Sequence, residues 1–236
     1  MLFDLHAHSS GISRCCRIPY DAVIRAAMDV ELDGIVLTNH YQKSYVKDGD
    51  ALAFAKRYTE EFRLARAYGD SVGFKVLFGA EITMVRYGGA HLLLYGITEE
   101  FIEQHPDLYE FTLEEMRDAI KAFDPKAAMV QAHPYRASKN LLPTEYLDGI
   151  EVNCHPLYGN SYFDDMVAIA SENKLVLTCG GDYHADTYRP KCGVYLPDRI
   201  SDSSELAHYL LDAPALTLLV HEPNTDAPYE FEWKRP

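Results

Sequence analysis

The sequence predicts an α/β chain. Short runs rich in Val, Ile, Leu and Phe alternate with longer amphipathic stretches, the pattern of repeated βα units around a parallel sheet, and histidines or carboxylates stand beside most of the runs. No internal repeat, low-complexity tract or Pro/Gly/Ser-rich linker divides the 236 residues, so a single domain over 1–236 is expected.

The candidate strands are 2–5, 34–38, 75–84, 91–97, 127–131, 149–153, 175–178 and 215–220. The first helix follows Pro19, a residue favoured at helix starts, and gathers Ala22, Val23, Ala26, Ala27 and Val30 on one face. The second covers 51–68 and is closed by Gly69. The third, 113–123, lies behind a capping box of Thr112 and Glu115; Ser161 with Asp164 and Asp202 with Glu205 offer looser caps for helices at 162–173 and 203–211. The acidic segment 222–232, with two prolines, reads as a surface turn within a C-terminal extension over about 222–236.

Composition narrows the function classes. With 47% hydrophobic and 25% charged residues the chain matches an ordinary globular protein, and a formal net charge of -14 makes long nucleic acids and anionic membranes poor partners. No window reaches the roughly 18 apolar residues of a membrane span, and the start MLFDLHAHSS lacks the features of a signal peptide, so a cytoplasmic location is expected. Five cysteines, odd in number and without CxxC spacing, read as reduced thiols.

The histidines carry the chemistry. His6 and His8 follow Phe3, Asp4 and Leu5; His40 follows GIVLTN; His91 opens HLLLYGI; His133 follows AAMVQA; His184 follows LVLTCGGDY. Glu81 and Asp182 take similar places after KVLFGA and LVLTCGG. In a parallel barrel the carboxyl ends of the strands open onto one face, where residues distant in sequence converge. Six imidazoles and two carboxylates meeting there make a metal site suited to Zn, Mn or Fe, with more ligands than one ion can use. His6 and His8, at i and i+2 on a strand, point the same way and grip one ion together. His105, His208 and His221 read as structural residues, and His155, just past GIEVN, is left open.

In order along the chain, DLHAHS (4–9), TNH (38–40), GAE (79–81), His91, AHP (132–134) and GGDYH (180–184) resemble the motifs of the PHP family, the polymerase and histidinol phosphatase superfamily. The resemblance implies a distorted (β/α)7 TIM-like barrel, a centre of two or three metal ions at the carboxyl ends of its strands, and phosphoester hydrolysis. It places His6, His8, Glu81 and Asp182 on a first ion, with Glu81 bridging to a second held by His91 and His133, and His40 and His184 on a third. The histidine that many members carry shortly after HxH is absent from SSGISRCC, which leaves Cys15 as a possible replacement ligand, and Asn39 stands where the commoner TDH motif has a carboxylate.

The expected reaction is hydrolysis of a small phosphorylated metabolite or nucleotide by a metal-activated hydroxide. Arg136, and Arg14 or Arg17 near the first motif, are candidates for the substrate phosphate; Asp182 or His184 are candidates for the leaving-group proton. Tyr41, Tyr135 and Tyr183 adjoin ligand histidines and read as packing or pocket lining. No GxSxG, Walker loop or GxGxxG is present. The alternatives are a nuclease or oligonucleotide-end hydrolase, a hydrolase of amides or lactones, and a non-catalytic PHP scaffold. Oligomeric state is not legible in the sequence.

Overall fold

The computed structural model describes residues 1–136, 141–155, 162–185, 189–222 and 227–236. Along these run β1 (Leu2–Ala7), α1 (Tyr20–Asp29), β2 (Gly34–Leu37), β3 (His40–Tyr41), α2 (Ala51–Val72), β4 (Lys75–Phe78), β5 (Ala80–Met84), β6 (Ala90–Tyr95), α3 (Glu99–Gln104), α4 (Leu113–Phe123), β7 (Ala128–Gln131), β8 (Gly149–Asn153), α5 (Phe163–Asn173), β9 (Val176–Gly180), β10 (Gly193–Tyr195), α6 (Ser203–Asp212), β11 (Ala215–Val220) and β12 (Tyr229–Lys234). The strands form two mixed sheets of six, ordered β12-β11-β10-β1-β2-β4 and β3-β5-β6-β7-β8-β9.

β1, β2, β7, β8 and β9 are buried along their whole length, which is why they read as continuous apolar runs rather than alternating ones. Among the described residues the buried apolar side chains form one contiguous cluster. The predicted strand 75–84 breaks at Gly79. A Cβ there would lie 2.8 Å from both Thr38 Cγ2 and Val36 Cγ1, so only glycine lets the chain bend where β4 ends in one sheet and β5 begins in the other. The β2–β3 segment bends alongside it, and Gly79 N still bonds Leu37 O at 3.2 Å.

The purely parallel pattern also needs correction. β5 pairs antiparallel with β6, and β6 antiparallel with β7, so this part of the second sheet is a meander rather than a βα unit. Periodicity identifies a strand but not its direction.

The helices follow local chemistry. Thr112 and Glu115 form the full capping box at α4, and Asp202 accepts from Glu205 N at α6. Ser161 lies outside the described residues. α2 runs past Gly69 to Val72 and ends at Gly73, whose φ of 74° is the left-handed stop. Gly69 serves packing instead: a Cβ there would sit 2.7 Å from Phe74 O. The extension over 222–236 contains β12, whose alternating YEFEWK exposes most side chains and buries Trp233 against the sheet. No helix among the described residues is long and apolar enough to cross a membrane.

Candidate metal centre

Four strand ends bring the predicted ligands around Glu81. His6 lies within β1 and His8 just after it; His40 opens β3, where its register partner is Glu81 on β5; His133 follows β7; Asp182 and His184 follow β9. His91 arrives from the opposite direction. It lies near the start of β6, opposite Thr83, and reaches the common face because β6 is antiparallel.

Glu81 is fully buried and surrounded by imidazole nitrogens: His40 Nδ1 at 2.5 Å, His91 Nδ1 at 2.6 Å, His133 Nε2 at 3.1 Å, and His6 Nε2 and His8 Nε2 both at 3.5 Å. Asp182, also fully buried, lies 3.0 Å from His8 Nε2 and 3.4 Å from His6 Nε2. His184 Nε2 is 3.4 Å from His40 Nε2. Three sets of donor atoms lie within 4.8 Å of one another and could each hold an ion: His6, His8 and Glu81; His40, Glu81 and His91; His8, His40 and His184. Glu81 belongs to two of them, as a bridging carboxylate must.

These residues fit a metal. His133 Nδ1 is buried with no hydrogen-bond partner, and His6 Nε2, His40 Nδ1 and Glu81 Oε2, though close to groups of opposite charge, make no aligned hydrogen bond, an arrangement costly for buried polar atoms with no further occupant. His133 and Asp182 hold φ values of 31° and 49°, an uncommon backbone state for such residues that aims their side chains inward.

Burial and mutual charge set the protonation. Burial works against the Glu81 and Asp182 carboxylates, yet the adjacent imidazoles, and for Asp182 also Arg136, hold both well below the usual range. Burial opposes charge on His6 too, but Glu151, Asp182 and Glu81 outweigh it and hold its pKa well above normal. His40, buried but beside Glu81, is raised to about 10. His8 is held well below normal by burial and by the charges of His184 and His40, and burial lowers His133 to about 4.

The other predicted residues take varied places. Arg136 is ion-paired through Nη1 to Asp182 Oδ2. Arg14 lies over the Tyr45 ring, 4.7 Å from its centroid, and Arg17 is exposed, its backbone N bonding His184 O at 3.0 Å. Cys15 is exposed and meets His184 and His40; partial burial of the thiol opposes its ionisation, but those two contacts bring it to about 6. His155 is half-buried with its ring 6.3 Å from that of His184, at the rim of the centre. His105 bonds Phe101 O and His208 bonds Asp124, both away from Glu81. Tyr41 is buried with its hydroxyl on Pro106 O, and Tyr183 packs beneath Arg189.

Sequence reading singled out Asn39 but missed the supporting roles of Glu151 and Asp4. Glu151 accepts from His6 Nδ1 at 2.8 Å and from the His133 backbone N at 3.0 Å. Asp4 accepts from His6 N, Gly181 N and Arg189 Nη2, tying β1 to the turn after β9. Asn39 accepts from Ser9 N at 2.7 Å and from Ser13 Oγ at 2.9 Å, while Ser13 Oγ lies 3.1 Å from His8 Nδ1. The amide in TNH therefore anchors the first loop, and through Ser13 it orients His8.

The architecture and this histidine–carboxylate centre define a mixed α/β chain able to hold metal ions. No protein-family model and no curated protein matches the sequence. Solved structures do share its fold. A two-domain protein from Bacteroides vulgatus, described as containing a predicted PHP-like metal-dependent phosphoesterase, aligns over 94% of this chain and 65% of its own, with TM-score 0.66 and 18% identity. A putative metal-dependent phosphoesterase from Bifidobacterium adolescentis aligns over 88% of this chain and 95% of its own, with TM-score 0.58 and 16% identity. An amidohydrolase from Chromobacterium violaceum aligns over 89% and 97%, with TM-score 0.53 and 15% identity. The chain thus has the fold of PHP-like structures, and it spans about two thirds of the length of the two-domain protein.

Proposed function

We propose that this chain is a metal-dependent phosphoesterase of the PHP type, acting in the cytoplasm on a small phosphorylated metabolite or nucleotide. The observation that carries the reading is the convergence of imidazoles from separate strands on one buried carboxylate, Glu81. Strand order supports a distorted seven-stranded barrel within a single domain: β1, β2 with β3, β4 with β5, β6, β7, β8 and β9 follow one another, and the Ala7–Tyr183 bridge lies between the first and last.

His6, His8, Glu81 and Asp182 would hold one divalent ion, and Glu81, His91 and His133 a second, with His40 adjoining this set. His184, His40 and Cys15 would hold a third. Ions of the Zn, Mn or Fe class would supply a water of lowered pKa and positive charge for phosphoryl oxygens. Arg136 offers flat paired donors at the rim for a phosphate oxygen, in place of its bond to Asp182. Arg14 and Arg17 would act further out. His184, when free of metal, would lie within reach of the leaving oxygen, with its Nδ1 held by Asp182 O at 2.7 Å. The excess of acidic residues favours a small substrate over a long polyanion.

The test is to strip the protein with a chelator, reload it separately with Zn, Mn and Fe, and assay phosphomonoesters beside an oligonucleotide, lactones and amides. Phosphate release that disappears with the ions and returns with them is the expected result. The likeness to an amidohydrolase favours a second reading, hydrolysis of an amide or lactone. Loaded protein that cleaves those and leaves every phosphoester intact establishes it instead.

A further inference from the structure

Three cysteines meet away from the histidine centre. Cys154 follows β8, Cys179 lies in β9 and Cys192 precedes β10, and each is at most 1% exposed. Cys154 Sγ and Cys179 Sγ are 3.5 Å apart, and all three sulfurs lie within 4.8 Å of one another. Their frame is fixed: Cys154 N bonds Gly180 O at 2.8 Å, His221 N donates to Cys154 Sγ at 3.4 Å, and the Cys179 thiol donates to Leu219 O at 3.4 Å.

A single buried thiol is a small apolar side chain. Three whose sulfurs form a triangle are a donor set. Metal–sulfur bonds of about 2.3 Å would set the sulfurs about 4.0 Å apart in a planar three-coordinate complex. The 3.5 Å separation of Cys154 and Cys179 and the 4.8 Å limit on all three lie close to that value, so only small side-chain shifts are needed. Structural Zn takes four ligands and Fe–S clusters take four cysteines, whereas no fourth His, Cys, Asp or Glu joins this group among the described residues. Thiolates select soft ions such as Cu(I).

The geometry points to a second metal site in this chain, in which Cys154, Cys179 and Cys192 bind Cu(I) in three-coordinate form. The neighbouring Cys179 and Cys192 sulfurs hold Cys154 well below the usual thiol range, while burial holds the other two well above it.

The experiment uses the full chain with its histidine centre already loaded with Zn. Cu(I) is added without oxygen, in competition with a coloured Cu(I) chelator. The expected result is one retained equivalent, an ultraviolet thiolate-to-copper band, and an X-ray absorption shell of three sulfurs. Cys179→Ser and Cys192→Ser should each weaken retention by roughly 100-fold or more, while Cys15→Ser keeps the band. The absorption spectrum of the unaltered protein decides the matter even if a variant fails to fold. No retained copper, a nitrogen and oxygen shell, or a band lost in Cys15→Ser but kept in Cys179→Ser would overturn the assignment.

Discussion

His6 Nδ1 and Glu151 Oε1 lie 2.8 Å apart, both side chains fully buried and 145 residues separate in sequence. With Nδ1 donating to Glu151, the ring presents Nε2 to Glu81 and Asp182, at 3.5 and 3.4 Å. The second Glu151 oxygen accepts from His133 N and from Asn153 Nδ2, both at 3.0 Å, so one carboxylate positions ligands from two strands.

Glu151→Gln should therefore fold yet bind metal about 10- to 100-fold more weakly, the usual cost of losing a carboxylate behind a ligand histidine. Calorimetric titration of the ion-free variant measures this. Unchanged affinity would show that His6 is oriented without Glu151.

Gly180→Ala should damage the same point by a different route. A Cβ there would lie 2.5 Å from His6 Cβ and 2.7 Å from Glu151 Oε1, with the His6 backbone N at 2.9 Å. Because one of these contacts is strand backbone and another the Cβ fixed to it, relief requires β1 and β9 to separate, at about 1–3 kcal/mol or more. Denaturant unfolding should report the loss, and metal affinity should fall with it.

The convergence of the candidate ligands was legible because His6, His40, Glu81, His133 and Asp182 each stand at the end of an apolar run, and strand ends are where such folds gather side chains. His91 was legible as a residue but not as a geometry: HLLLYGI announces a strand and says nothing of its antiparallel direction. Glu151 had a signal that went unused, a carboxylate at the centre of GIEVN, in a strand buried from end to end. Arg189 had none; its pairing with Asp4 joins residues 185 positions apart.

Cys15 should be the reactive thiol of the ion-free protein. Its contacts with His184 and His40 bring it to about 6, whereas burial pushes the neighbouring Cys16 up to about 11. Alkylation by iodoacetamide, followed by peptide mass, should reach half its maximal rate near pH 6 at Cys15 and leave Cys16 unmodified. Loading the centre with Zn should protect Cys15, and equal rates with and without the ion would remove it from the ligand set.

Metal binding should release protons. His6 and His40 are raised in the ion-free state, His40 to about 10, so at neutral pH an incoming cation must displace protons from both. The sign follows: apparent affinity rises with pH from neutrality toward about 10, where His40 loses its proton. Calorimetry in buffers of different ionisation enthalpy counts the protons, and a count near zero at pH 7 would contradict this protonation state.

Arg136 separates the two readings of the reaction. Its guanidinium is partly buried and paired with Asp182, and burial, which opposes its charge, is outweighed by that carboxylate. A phosphate dianion uses the flat fork of arginine in a way that a neutral amide or lactone does not. For a phosphoester, Arg136→Ala should lower kcat/KM by about 10- to 100-fold, the scale of one or two charge-assisted hydrogen bonds, mainly through KM. Arg136→Lys keeps the charge and loses the paired geometry, so it should restore only part of the loss. Metal content measured on the same samples guards against an indirect effect through Asp182. A phosphoesterase whose KM is indifferent to both changes would exclude Arg136 from the phosphate site.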